Sequence, residues 1–168
     1  MSLVIAYSRT EVPSDKTASE IETMLQKAGV TKTGKQYESG HVKSLYFQMD
    51  TPQGSLPFRL PVNVDAVYQL MMNQYKNSAQ FRYDQQYQDT LKRRVYSQAE
   101  RTAWRIVHWW VKSQLALIQL NMVEISEIFL PYMLVSPDHT LYSQLKGRGD
   151  FKALIQGQSN DRPTSANG

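Results

Sequence analysis

The side chains that could do recognisable chemistry are concentrated between Lys76 and Lys112: Arg93, Arg94, Arg101, Arg105 and Lys112, with Trp109 among them and Tyr83, Tyr87 and Tyr96 close by. Guanidinium groups meet phosphate oxygens in a two-pronged geometry, and aromatic rings offer stacking surfaces to unpaired bases. Arg and Lys interleaved with Trp and Tyr is therefore the composition of a single-strand nucleic-acid binder. Arg101, Arg105, Trp109 and Lys112 are separated by 4, 4 and 3 residues, which puts all four on one face if the segment is helical. Eight basic residues stand against three acidic ones in this stretch, a net of +5, while the whole chain carries only +4. Less than a quarter of the sequence thus holds the entire positive field. Two competing arrangements use the same residues: a protein-binding surface, or a helix face that the arginines merely solvate, with Trp109 buried in a subunit interface.

Other chemistries find less support. The 168 residues include no cysteine, which excludes disulfides, thiolate ligands and cysteine nucleophiles. Gly29 to Lys35 fits the first seven positions of a phosphate-binding loop, but Gln36 stands where a magnesium-binding Ser or Thr is required. The order of elements is also wrong, because here a helix ends and a strand begins, so no helix N-terminus faces the loop. His41, His108 and His139 have no metal-ligand spacing, and His108, between Trp104 and Trp109, reads as a partly buried structural histidine. Glu124 and Glu127, with Asp138, are acidic residues near the apolar core, and a helix cap accounts for the pair without chemistry. No Ser or Thr lies in a nucleophile-elbow context. No metal or other cofactor and no catalytic residue is expected.

The elements that must position the basic face follow from periodicity. Ser97 to Val135 is the most apolar segment, and Ser97 with Glu100 has the form of a capping box that starts a long central helix. Ala103, Ile106, Trp110, Leu117 and Leu120 fall along one side of it, and Trp104, Val107, Val111, Leu115 and Ile118 along the next. An arc this wide predicts cover on two sides, by a sheet and by another helix or subunit, so a homo-oligomer is expected. Upstream, Thr17 and Glu20 box the start of a short amphipathic helix that Gly29 ends. Period-two alternation then predicts strands over 30–37, 42–49 and 56–60, with Pro57 and Pro61 making the third an edge strand. Asn63 caps a helix stapled by Val62 and Val67. Residues 73–96, rich in Gln, Asn and Tyr, read as an inserted linker, long enough to be mobile until something orders it; Asn121 and Glu124 recap a shorter helix that breaks near Pro131.

Two segments carry a family resemblance: LPFRLPVNVDAVYQLM at 56–71 and AERTAWRIVHWWVKSQLALIQLNMVEISEIFLPYML at 99–134. With KTASEIETMLQKAGV before them, they resemble a family of short proteins carried by bacteriophages and prophages. Its marks are F-R-L-P after the meander, an A-W-R helix with a downstream Q-L-A-L, and a terminal F-L-P-Y. The resemblance leaves out both ends and the Tyr/Gln stretch, and the family has no established activity to carry over. It implies a small protein working in the bacterial host cytoplasm during infection, in DNA metabolism or against a host defence.

Together these observations predict an α+β fold: a three-stranded antiparallel meander packed against a long central helix and two or three shorter helices. Residues 1–155 form one domain and 156–168 a disordered tail. No apolar run is long enough for a membrane span of about 20 residues, so a soluble protein is expected. The expected role is that of a non-enzymatic accessory factor whose partner is nucleic acid or a host protein.

Overall fold

The computed structural model describes residues 5–52 and 54–149. The fold is α+β. Helix α1 (Ser14–Lys27) precedes a meander of β1 (Lys32–Glu38), β2 (His41–Thr51) and β3 (Gly54–Arg59), whose strands lie in sequence order. Then come α2 (Val64–Met72), α3 (Ala79–Tyr83) and the long α4 (Gln85–Gln119). The described residues end with α5 (Ile125–Phe129), a 3-10 turn, the small hairpin β4 (Leu134–Ser136) and β5 (His139–Thr140), and α6 (Leu141–Arg148).

The β1–β2 turn has only two residues between the paired Glu38 and His41. Ser39 and Gly40 both adopt positive φ, 51° and 80°, the handedness that matches the twist of the flanking strands. Gln36 pairs with Ser44 but Tyr37 with Val42, so β2 carries one extra residue at this point. The bulge keeps Val42 and Leu45 facing inward although they are three apart. It also sets the Val42 carbonyl against the Trp104 indole, which donates to it at 3.2 Å.

One face of the sheet is apolar and packed. Leu45, Phe47, Met49 and Phe58 meet Ile21 and Leu25 of α1 and Trp104, Val107 and Val111 of α4. Phe129 closes this core, edge-on to Phe47 with centroids 5.2 Å apart. Such aromatic pairs add about 0.5–1.5 kcal/mol beyond the area they bury. A second cluster joins Met71 and Met72 of α2 to Leu91, Val95, Ala99 and Ala103, one residue per turn along the first part of α4. Most of the wide apolar arc of α4 is therefore covered within the chain, by sheet, α1 and α5 along its later turns and by α2 along its earlier ones, while Leu120 at its end stays exposed.

Several sequence expectations need correction. Residues 73–96 are not an irregular linker: they contain α3 and the first three turns of α4. Asp84 caps α4, its side chain accepting from the Tyr87 amide at 2.9 Å, and the four-residue beat of Leu91, Val95, Ala99 and Ala103 holds it on α2. Ser97 is thus mid-helix, and Glu100 is not a capping partner. Thr17 likewise lies inside α1, which begins at Ser14. Asn121 ends α4 rather than starting the next helix: it adopts a left-handed φ of 55°, and the Met122 amide returns to the Leu117 carbonyl at 3.0 Å. Glu124 is the cap of α5, with Glu127 reaching back to its amide at 2.8 Å. The β4–β5 hairpin and α6 were not expected from sequence; Met133 bridges to Phe58, which sets the hairpin beside edge strand β3. Asn63 does cap α2, accepting from the Ala66 amide at 2.9 Å. The expected tail at 156–168 lies outside the described residues.

Candidate nucleic-acid interface

Because α4 runs unbroken, the spacing of its cations becomes geometry. Arg94, Arg101, Arg105, Trp109 and Lys112 recur at intervals of 7, 4, 4 and 3 residues. They lie on one side of the helix along roughly 27 Å, at 1.5 Å rise per residue. The opposite side is buried on α2 and the sheet, which fixes this line outward.

Within the line the charges are not equivalent. Arg94 is exposed and without an ion-pair partner among the described residues. Arg101 is half-buried and held by neutral acceptors alone: its Nε donates to the Thr10 carbonyl at 3.3 Å, one terminal nitrogen to Ser97 Oγ at 3.0 Å, and the other to Gln98 Oε1. Arg105 is already paired, with Nη1 2.8 Å from Glu20 Oε2. Its charge is largely offset before any partner arrives. Lys112 is exposed, and its Nζ stands 4.7 Å from the centroid of the Trp109 ring.

Trp109 keeps 36% of its surface open. Tyr7 lies nearly parallel to it, centroids 6.1 Å apart and planes 9° from each other, and is itself 43% exposed. Arg105 adds a second cation 5.8 Å from the indole centroid. Tyr7 adopts φ 61°, a left-handed conformation that costs a non-glycine residue about 1–2 kcal/mol. It is held there by its carbonyl, which accepts from Thr102 Oγ1 at 3.2 Å and from the Thr10 amide at 3.0 Å. The result is a two-ring platform, partly open, with cations beside it.

The remaining expected residues do not join this line. Arg93 and Tyr96 point to another flank of α4, where they border a groove with Lys92, Tyr68 and His41. Tyr96 packs edge-on to Tyr68 at 5.4 Å and accepts from Lys43 Nζ at 2.9 Å, a bond that holds the Lys43 pKa above its ordinary value. Tyr87 packs against the α2 cluster. Tyr83 is 86% exposed on α3, before α4 begins. Linker tyrosines therefore do not line up beside the ridge.

The other candidate residues have structural partners. His108 is buried with Nε2 3.2 Å from Glu20 Oε2, while its Nδ1 has no hydrogen-bond partner. Burial lowers its pKa, and the charges of Arg105 and Lys112 lower it further against the opposing pull of Glu20. Glu100, buried, takes Ser14 Oγ at 3.0 Å on one oxygen and His41 Nδ1 at 2.9 Å on the other, tying α1, the β1–β2 hairpin and α4 together. Gly34 and Lys35 lie inside β1, and Lys35 is clamped by Glu22 at 3.0 Å. Among the described residues no group of three or more His, Asp or Glu side chains is placed to hold a metal ion, and no helix is long and apolar enough to cross a membrane.

Sequence reasoning missed Tyr7, Glu20 and Gln98. Gln98, one helical turn before Arg101, was visible from spacing alone. Tyr7 and Glu20 reach α4 from distant parts of the chain, and nothing local marks them. No protein-family model matches the chain, and neither a curated protein nor a solved structure does.

Proposed function

We propose that this chain is a non-enzymatic accessory protein that grips single-stranded nucleic acid along the outer line of α4. Arg94, Arg101 and Lys112 meet backbone phosphates, and the Tyr7–Trp109 platform receives a base. The observation that carries this reading is the partly open pair of parallel rings with Lys112 over the indole, in line with two guanidiniums that have no carboxylate partner. Arg105 contributes little while Glu20 holds it, and Arg93, Tyr83, Tyr87 and Tyr96 fall outside the contact. The setting we propose is the cytoplasm of a bacterium during phage infection, in keeping with the family resemblance.

The test is fluorescence anisotropy of a labelled single-stranded oligonucleotide and of its duplex. The single strand binds more tightly, and Trp109→Ala weakens it by about 5- to 150-fold, the equivalent of roughly 1–3 kcal/mol for one stacked base. Equal affinity for the duplex, or an unaffected Trp109→Ala variant, refutes the stacking role.

A second reading is favoured by one separate observation. Leu120 and Met122, 70% and 66% exposed, crown the end of α4 beyond Lys112. Apolar side chains so exposed beside a cationic line also fit a protein surface, either a host defence protein that this chain inhibits or a second copy of the chain. Capture of a host protein that survives both nuclease and high salt would favour it.

A further inference from the structure

On the N-terminal side of the same line, the segment 5–11, the end of α2 with the turn after it, and α4 enclose an open cleft of about 890 Å³. This is within the size range of small-molecule sites. Arg9, Arg94 and Arg101 line it against the single carboxylate of Glu11, a surplus of two positive charges. None of the three guanidiniums forms an ion pair with any described residue. Of the five N–H groups of Arg101, three are used on Thr10, Ser97 and Gln98, which leaves two unspent on a guanidinium that is already oriented. The wall is fixed as well, because Gln98 Nε2 donates to the Thr10 carbonyl at 2.9 Å and Thr102 Oγ1 to that of Tyr7. The facing wall, from the end of α2 and the turn after it, is of another kind: it sets the apolar Leu70 and Met71 and the aromatic Tyr75 beside the polar, uncharged Asn73 and Gln74.

We infer that this cleft is a nucleotide pocket, with the phosphate on Arg9, Arg94 and Arg101 and the base against Tyr75, Leu70 and Met71. A cationic wall, from segment 5–11 and α4, facing a wall with apolar and aromatic side chains matches a nucleoside phosphate, which is dianionic at one end and flat and apolar-faced at the other. The ligand is either a free nucleotide or the phosphorylated end of a strand lying along α4. The inference shares Arg94 and Arg101 with the strand-binding reading, and so rests in part on it.

Calorimetric titration of the full chain with adenosine 5′-monophosphate, adenosine and inorganic phosphate tests it, together with an oligonucleotide bearing either a 5′-phosphate or a 5′-hydroxyl. Arg9→Gln with Arg94→Gln is the informative variant, since both side chains are exposed and unpaired and their loss leaves the melting temperature in place. If the pocket takes free nucleotides, the monophosphate binds at least 10-fold more tightly than adenosine or phosphate. The double variant then loses about 10- to 100-fold, as expected for lost charge-assisted hydrogen bonds. If it takes strand ends, the 5′-phosphate strengthens oligonucleotide binding, and the double variant abolishes that gain. Oligonucleotide binding that ignores the 5′-phosphate, with no binding of the monophosphate, overturns the pocket while leaving the strand-binding reading in place. Monophosphate binding without oligonucleotide binding does the reverse.

Discussion

Glu20→Gln separates a binding face from a merely solvated one. In the native protein Glu20 Oε2 lies 2.8 Å from Arg105 Nη1 and 3.2 Å from His108 Nε2, so one carboxylate offsets the central cation of the line. Glutamine keeps the shape and an acceptor oxygen but removes the charge. Stability changes little, by under about 1 kcal/mol, because a partly exposed pair is worth no more than that. Binding responds differently. If Arg94, Arg101 and Lys112 each neutralise one phosphate, the slope of log K against log salt is about −2.1 for the native chain; releasing Arg105 adds a fourth contact and takes it to about −2.8. At 0.1 M salt that one extra contact strengthens binding by about 5-fold, and the gain vanishes as salt approaches 1 M. Anisotropy titrations of both proteins across a salt series read the two numbers directly. An unchanged slope in the variant would mean that Arg105 does not face the strand, and the line would have to be redrawn.

Further outcomes follow from other residues. His108 has a depressed pKa in the fold, set first by burial and then by Arg105, so the folded state binds fewer protons than the unfolded one. Its contribution is intact above about pH 6.5 and is lost as pH falls from there through the lowered value; His108→Gln should flatten the fall in melting temperature between pH 7 and 5. Glu100→Ala leaves Ser14 and His41 without their shared acceptor, and urea unfolding should show a loss of about 1–3 kcal/mol, smaller for Glu100→Gln. Should a second copy cover the end of α4, Leu120→Asp will shift sedimentation to the monomer; an unchanged profile places the self-contact elsewhere.

Legibility in the sequence tracked how local the physics was. The meander was readable because alternation, a Ser-Gly turn and two prolines are all near-neighbour signals, and the Asn63 cap likewise. The start of α4 was not, because its first turns present Gln, Tyr and Lys, and only the sparse beat of Leu91, Val95 and Ala99 commits them to α2. Ser97 and Glu100 matched a capping box by spacing, yet the fold spends Glu100 on Ser14 and His41, partners 86 and 59 residues away. Of the basic face, the alignment of Arg101, Arg105, Trp109 and Lys112 followed from helix period alone. Which charges stay free did not, since Glu20 reaches Arg105 across 85 residues and Tyr7 reaches Trp109 from the far end of the chain.

In the proposed function the outer line of α4 meets a polyanion. Its most direct test is the salt dependence of the native protein's affinity for a single-stranded oligonucleotide between 50 and 200 mM. Three phosphate contacts predict a fall of about 20-fold over that range. Affinity that stays level across it, or binding undetectable even at the lowest salt, contradicts the account.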